Sequence, residues 1–241
     1  MKICGKLSFY VIISEKMGDK KFGREELVMK IKELKFPVVF HEESMVGYGG
    51  NQEWFTEIMK QRAGCGCTSG ANLAAYYASN FSAMNSVYDG NRESFSQGEY
   101  LSAMEKMYRY MTPGVMGYPY VRKFGNQFVK FCAEHGIYLE PVYCLKFNKT
   151  EDAVAYMKEC IDEGHPIALL ILFHRAHSLK EDNWHWVTIT GYAEDEDGLE
   201  NLEVIMSNCG ERQIVKGSEL FEVHRRNTIR MVSFRFQQEH L

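Results

Sequence analysis

The sequence predicts an α+β fold in which an N-terminal helical part packs on a C-terminal antiparallel sheet. Three observations carry this. Apolar residues recur at helical spacing through the middle of the chain, strand patterns follow one another in its last third, and the two kinds of segment are segregated instead of alternating as βαβ units. With 241 residues, 45% of them hydrophobic, the chain can bury a sizeable core. A single domain is therefore expected over 1–241, with 1–50 as an N-terminal extension or scaffold, 51–164 as the helical part and 165–241 as the sheet.

Taken in order, Leu7 to Ile13 has the apolar content of a strand or short helix. Arg24 to Lys35 is expected to be a helix, because Leu27, Val28, Ile31 and Leu34 recur at helical spacing before Pro37. Val38 to Phe40 suits a short strand, and Gly47-Tyr48-Gly49-Gly50 a glycine-rich turn. Leu73 to Ala78 continues a small-residue helix, and the polar run from Ser82 to Ser96 is long enough for a loop bordering a cleft. A helix is expected from Ser96, with Tyr100, Leu101, Met104, Met107, Tyr108 and Met111 on its core face. Another follows Pro119 and stops at Gly136, and a third is capped by Thr150 and closed by Gly164. From Pro166 to Phe173 the chain is continuously apolar over a strand's length, which suits a strand buried on both faces at the centre of a sheet. Trp184 to Tyr192, Asn201 to Ser207, Gln213 to Val215 and Thr228 to Phe236 supply further strands, the first two joined by the acidic hairpin Glu194 to Gly198. Ser218 is placed to cap a short helix between the last two.

Composition narrows the function. A net charge of −4 without a long Lys/Arg block disfavours a nucleic-acid surface. Seven cysteines, odd in number and mostly scattered, suggest reduced thiols and hence a cytoplasmic setting. No small-residue cleavage site follows Ser14, and no apolar run approaches the ~18 residues of a membrane span. A small molecule or a polypeptide is the expected partner.

The chemistry centres on Gln61 to Asn72, where a loop of small residues runs into a helix and places Cys65 at the helix start. Unpaired backbone N–H groups and the positive end of the helix dipole favour an anion there, so a thiol ionises more readily and becomes a nucleophile. His185 lies in a strand whose alternation sends its imidazole away from the face expected for Trp184 and Trp186. Asn208 ends the next strand, and antiparallel pairing across the acidic hairpin can bring it to His185, to hold the imidazole in one tautomer. Cys67 is a second candidate nucleophile. Residues two apart on a helix point about 200° apart, so only one of the thiols can face His185. The Cys65-Gly66 pair favours Cys65, because glycine lets substrate approach closely.

These stretches together resemble the papain-like cysteine peptidases: Gln61 with Ala63-Gly64-Cys65-Gly66, Thr68-Ser69 and Asn72-Leu73; Gly164-His165-Pro166-Ile167; His185 to Tyr192; and Ser207-Asn208-Cys209-Gly210. They are most similar to the bacterial leader-peptide (bacteriocin-processing) branch and its stand-alone relatives, over roughly residues 50–215. The resemblance implies a papain-like fold, Cys65 as nucleophile, His185 as general base and then acid, Asn208 as its orienter, and Gln61 as an oxyanion-hole donor. It also implies a peptide or protein substrate, a leader peptide among the possibilities, and no cofactor. Gln61 stands closer to Cys65 than is usual in that family, a spacing that would suit Cys67 better. Cys67 stands where relatives commonly carry proline, and Cys209 has no shielding tryptophan after it. An acyltransferase with the same triad and an inactive peptide-binding relative are the alternatives. A zinc tetrahedron of Cys65, Cys67, Cys209 and His185 is disfavoured, because Cys-x-Cys spacing on a helix splays the thiols.

His174 and His177 are expected at a loop or rim, and Asp182 and Asn183 at the cleft entrance.

Overall fold

A computed structural model describes residues 29–114 and 116–237. The apolar stretch Leu7 to Ile13 lies outside them, as does the first part of the helix expected over Arg24 to Lys35. The part that is described corrects that expectation. Lys30–Glu33 is a strand, β1. The next elements are β2 (Val38–His41) and β3 (Ser44–Tyr48), so the expected turn begins within β3, and Gly49 just beyond it is left-handed at φ +77°. Two helices separated by Gly64 follow, α1 (Ile58–Ala63) and α2 (Cys65–Asn80).

The expected polar loop folds in part as a 3-10 helix, Ser82–Val87, and the two-residue strand β4 (Phe95–Ser96). Met84, Val87 and Tyr88 are buried there, while Ser82, Asn85 and Gly90 to Glu93 line a surface pocket that does not include Cys65. Ser96 caps α3 (Gln97–Tyr108) by accepting from the Glu99 N–H, and Tyr100, Met104 and Met107 face inward. Helix α4 (Val121–Ala133) buries Val121, Phe124, Phe128, Phe131 and Cys132, and Gly136 turns left-handed at φ +75° just beyond it. A strand the pattern did not announce, β5 (Leu139–Cys144), comes before α5 (Thr150–Asp162). Lys149, not Thr150, is the cap of α5, and the Thr150 hydroxyl instead donates to the Phe221 carbonyl.

The remaining strands are β6 (Ile167–Phe173), β7 (His185–Glu194), β8 (Glu203–Asn208), β9 (Glu211–Lys216) and β10 (Thr228–Phe236). The short helix α6 (Gly217–Leu220) contains Ser218 and is capped by Lys216. The main sheet is antiparallel, in the order β5-β10-β6-β7-β8-β9, with β1 also paired to β7; β2, β3 and β4 form a small second sheet. The molecule is therefore mixed helix and sheet of the α+β class, although its sheet recruits β1 and β5 from ahead of residue 165.

Two local facts explain the unexpected strands. β6 pairs with β7 only as far as Ile167 opposite Ile189, which leaves the backbone of 191–194 without a partner on that side. β1 supplies it, from Lys30 opposite Glu194 to Glu33 opposite Gly191, because buried peptide groups must be hydrogen-bonded. Gly191 permits the approach: a Cβ there would lie 2.6 Å from the Lys32 carbonyl oxygen. β5 contains Pro141, which an edge strand tolerates since one row of its N–H groups has no ladder to join.

Helix α2 is the axis of the core, buried at every residue from Cys65 to Ala78. A helix buried on all sides needs small residues wherever neighbours come close. Gly70 meets Met107 and Met111, and Gly66 meets Tyr118 and Trp186. Among the described residues no helix is long and apolar enough to cross a membrane.

Candidate active site

Cys65 is the first residue of α2 and is 7% exposed. Its position follows from the packing of Gly64, where a Cβ would lie 2.4 Å from the Lys60 carbonyl oxygen and 2.7 Å from the Phe55 ring. Only glycine lets α1 close so tightly against the start of α2. Burial pushes the Cys65 thiol up, but a hydrogen bond to His185, the charge of that imidazole and backbone hydrogen bonds from Trp186 and Gly66 outweigh it, leaving the thiol below its ordinary value. The same coupling acts on the partner. Burial pushes His185 down, while hydrogen bonds and charge from Cys209 and Cys65 carry it well above the usual histidine range. Both shifts favour the ionised, thiolate–imidazolium form of the pair over its neutral form.

His185 opens β7, and Trp186 beside it anchors the strand end. The Trp186 ring stacks on Phe124 with centroids 4.4 Å apart, and its Nε1–H donates to the Tyr118 carbonyl at 2.7 Å. The expectation that both tryptophans share a face holds for neither strand nor geometry: Trp184 precedes β7 in a left-handed conformation, φ +63°, and packs edge-on against Phe173. The imidazole Nε2 lies 2.9 Å from Asn208 Oδ1. Asn208 is the last residue of β8, so the β7–β8 pairing that was expected to join the two does so. Its Nδ2 donates to Asp182 Oδ1 and to Gln213 Oε1, each at 2.8 Å.

The turn after Asn208 brings in a second sulfur. Cys209 and Gly210 are both left-handed, at φ +47° and +79°, as the centre of a two-residue hairpin between β8 and β9 requires. Cys209 Sγ thereby lies 3.5 Å from His185 Nε2. Cys67, by contrast, faces away. It is 1% exposed, its thiol donates to the Gly64 carbonyl at 3.0 Å, and burial raises it far above the ordinary thiol value. The zinc arrangement has no counterpart, since among the described residues no group of three or more His, Cys, Asp and Glu is placed to hold a metal.

Gln61 is not brought to the site, which corrects the role expected for it. Its Nε2 donates to the Phe55 carbonyl at 2.6 Å and to the Glu53 carbonyl at 3.3 Å, tying α1 to the segment before it. The reason is α1 itself: Gln61 lies on a separate short helix that ends before Cys65. The glutamine that lines the cleft with Cys65 and His185 is Gln52, together with Gly50, Thr68 and Cys209. Gln52 Oε1 and Thr68 Oγ1 are buried there without a protein partner. The signal that could have pointed to Gln52 is its place immediately after the Gly49-Gly50-Asn51 turn, whose Gly50 N–H is held by Asn72 Oδ1 of α2 at 2.8 Å. Asp182 and Gln213 also went unassigned to the Asn208 side chain, because no spacing along the chain links three separate segments. His174 is buried and its backbone N–H is held by Asn183 Oδ1, so Asn183 serves the loop fold.

The chain matches no protein-family model and no curated protein.

Proposed function

We propose that this chain is a papain-like cysteine peptidase, or a thiol hydrolase of that kind, which cleaves a peptide or amide bond through an acyl-enzyme. The observation that supports it best is the meeting of the helix-start thiol of Cys65 and the imidazole of His185 at one small cavity, with Asn208 Oδ1 2.9 Å from His185 Nε2. In this reading the Cys65 thiolate attacks the substrate carbonyl carbon. The developing oxyanion is held by the Cys65 backbone N–H and the side-chain amide of Gln52, which replaces Gln61 as the candidate donor. His185, protonated, gives its proton to the leaving amine, then takes one from the water that releases the acyl group and restores the thiolate.

A peptide or protein substrate is consistent with this chemistry. The six described cysteines are all free thiols, in keeping with a reducing, cytoplasmic setting. The test is selective alkylation. Iodoacetamide at neutral pH should label Cys65 far faster than Cys67, Cys132 or Cys160, and His185→Ala should slow that labelling. Equal, slow labelling of all four would sink the proposal.

A further inference from the structure

We propose that Asp182 is a positioning residue that sets the tautomer of His185 through the side chain of Asn208, with Gln213 as its helper. The inference rests on reading Cys65 and His185 as a catalytic pair. An asparagine amide has two different ends: one oxygen that accepts and one NH₂ that donates. Facing an imidazole, it can offer either, and the two choices have opposite consequences. If Oδ1 faces Nε2, the imidazole must carry its proton on Nε2, and Nδ1 is left to exchange a proton with Cys65. If the amide is reversed, an NH₂ faces Nε2, the neutral ring is protonated on Nδ1, and it has no lone pair for the thiol proton. The reversed amide also repels the imidazolium.

Asn208 and His185 alone do not decide between these. Gln213 does not decide either, since a glutamine amide can reverse together with its partner. Asp182 does. An ionised carboxylate has no proton to donate, so the end of Asn208 that meets Asp182 Oδ1 at 2.8 Å must be the NH₂. With both Nδ2 hydrogens committed, to Asp182 and to Gln213 Oε1, the oxygen is fixed toward His185 at 2.9 Å. Asp182 is only 8% exposed, and its own N–H is held by the Leu179 carbonyl at 3.2 Å, so the carboxylate is built into the loop ahead of β7. The titratable groups around His185 are Cys65 from α2 and Cys209 from the β8–β9 turn, with Asp182 beyond Asn208. Neither sulfur can fix the amide's polarity.

The experiment uses the full chain and iodoacetamide as the probe. The rate of Cys65 alkylation is measured from acid to mildly alkaline pH for the wild type, Asp182→Asn, Asp182→Ala and His185→Ala. Asp182→Asn keeps the shape and a hydrogen bond but removes the acceptor-only character. It should move the acid limb of the profile to higher pH, slowing alkylation on that limb on the order of tenfold, the equivalent of one pKa unit. Asp182→Ala should do the same or more. In the wild type, nitrogen NMR of the histidine rings should find neutral His185 protonated on Nε2, a measurement that needs no variant. A wild-type His185 protonated on Nδ1 overturns the inference, as does an Asp182→Asn profile that superimposes on a reactive, His185-dependent wild type. A wild type whose Cys65 is slow and indifferent to His185→Ala instead overturns the underlying reading, and this inference falls with it.

Discussion

Lowering the pH from about 8 to about 5 should destabilise the fold through one buried histidine remote from the candidate site in sequence. His165 joins α5 to β6, is 8% exposed, stacks on Phe81 at an interplanar angle of 7° and meets the Tyr77 hydroxyl at 3.3 Å. Burial, reinforced by the charge of Arg235, holds its imidazole down to about 4 from an ordinary 6.5. The folded state therefore binds fewer protons than the unfolded one between those values, and stability is lost as pH falls through 6.5 toward 4. The full loss is about 3 kcal/mol, from 2.5 pKa units at 1.36 kcal/mol each, and about 2 kcal/mol of it is reached by pH 5. His165→Gln keeps a polar partner for Tyr77 and removes the titration. Urea denaturation of both proteins at about pH 8 and about pH 5 should show their stability difference moving by about 2 kcal/mol in favour of the variant at the lower pH. Because Tyr77 sits on the helix that begins at Cys65, acid inactivation would then follow unfolding as well as protonation of the thiolate. A stability difference that is the same at both pH values would refute the reasoning.

Three other outcomes test particular residues. Gln52→Ala should slow acyl-enzyme formation from p-nitrophenyl acetate by about a hundredfold or more, the usual effect of losing an oxyanion donor, while Gln61→Ala should leave the burst rate unchanged and lower stability by about 1 kcal/mol. The reverse pattern would restore Gln61 to the site. Cys65→Ala should abolish the fast phase of iodoacetamide labelling and Cys67→Ala should keep it, since mass spectrometry can assign the modified peptide; a fast phase that survives Cys65→Ala would point to Cys67. Gly64→Ala should cost about 1 to 3 kcal/mol by overpacking, because its methyl would be driven against the Lys60 carbonyl, and should displace Cys65 enough to slow its labelling. A melting midpoint and labelling rate equal to wild type would show that α1 gives way freely.

Much of this molecule is legible in one dimension because its signals are local. The small residues around Cys65, the helical spacing in α3 and α4 and the apolar run of β6 each report what their immediate neighbours require. The strand identity of β1 is not local. Ile31 and Leu34 keep a helical spacing with Leu27 and Val28, yet Lys30–Glu33 is a strand because β7 extends beyond the end of β6 and its peptide groups need a partner. β5 was hidden by Pro141, which matters only once the strand is known to lie at an edge.

The candidate site divides in the same way. Residue types and chain order alone pointed to Cys65, His185 and Asn208, because a helix-start thiol and two adjacent late strands are features that sequence pattern carries. The choice between the two cysteines, and between the two glutamines, was decided by tertiary structure. Cys65 faces the imidazole and Cys67 the Gly64 carbonyl because two residues of helix rotate a side chain to the opposite side. Gln61 is close to Cys65 along the chain but is bonded to Phe55, whereas Gln52, farther away along the chain, is carried into the cleft by the turn that Asn72 holds. Proximity along the chain measures reach; which polar group ends beside a thiol depends on how three separate segments satisfy their hydrogen bonds when they pack.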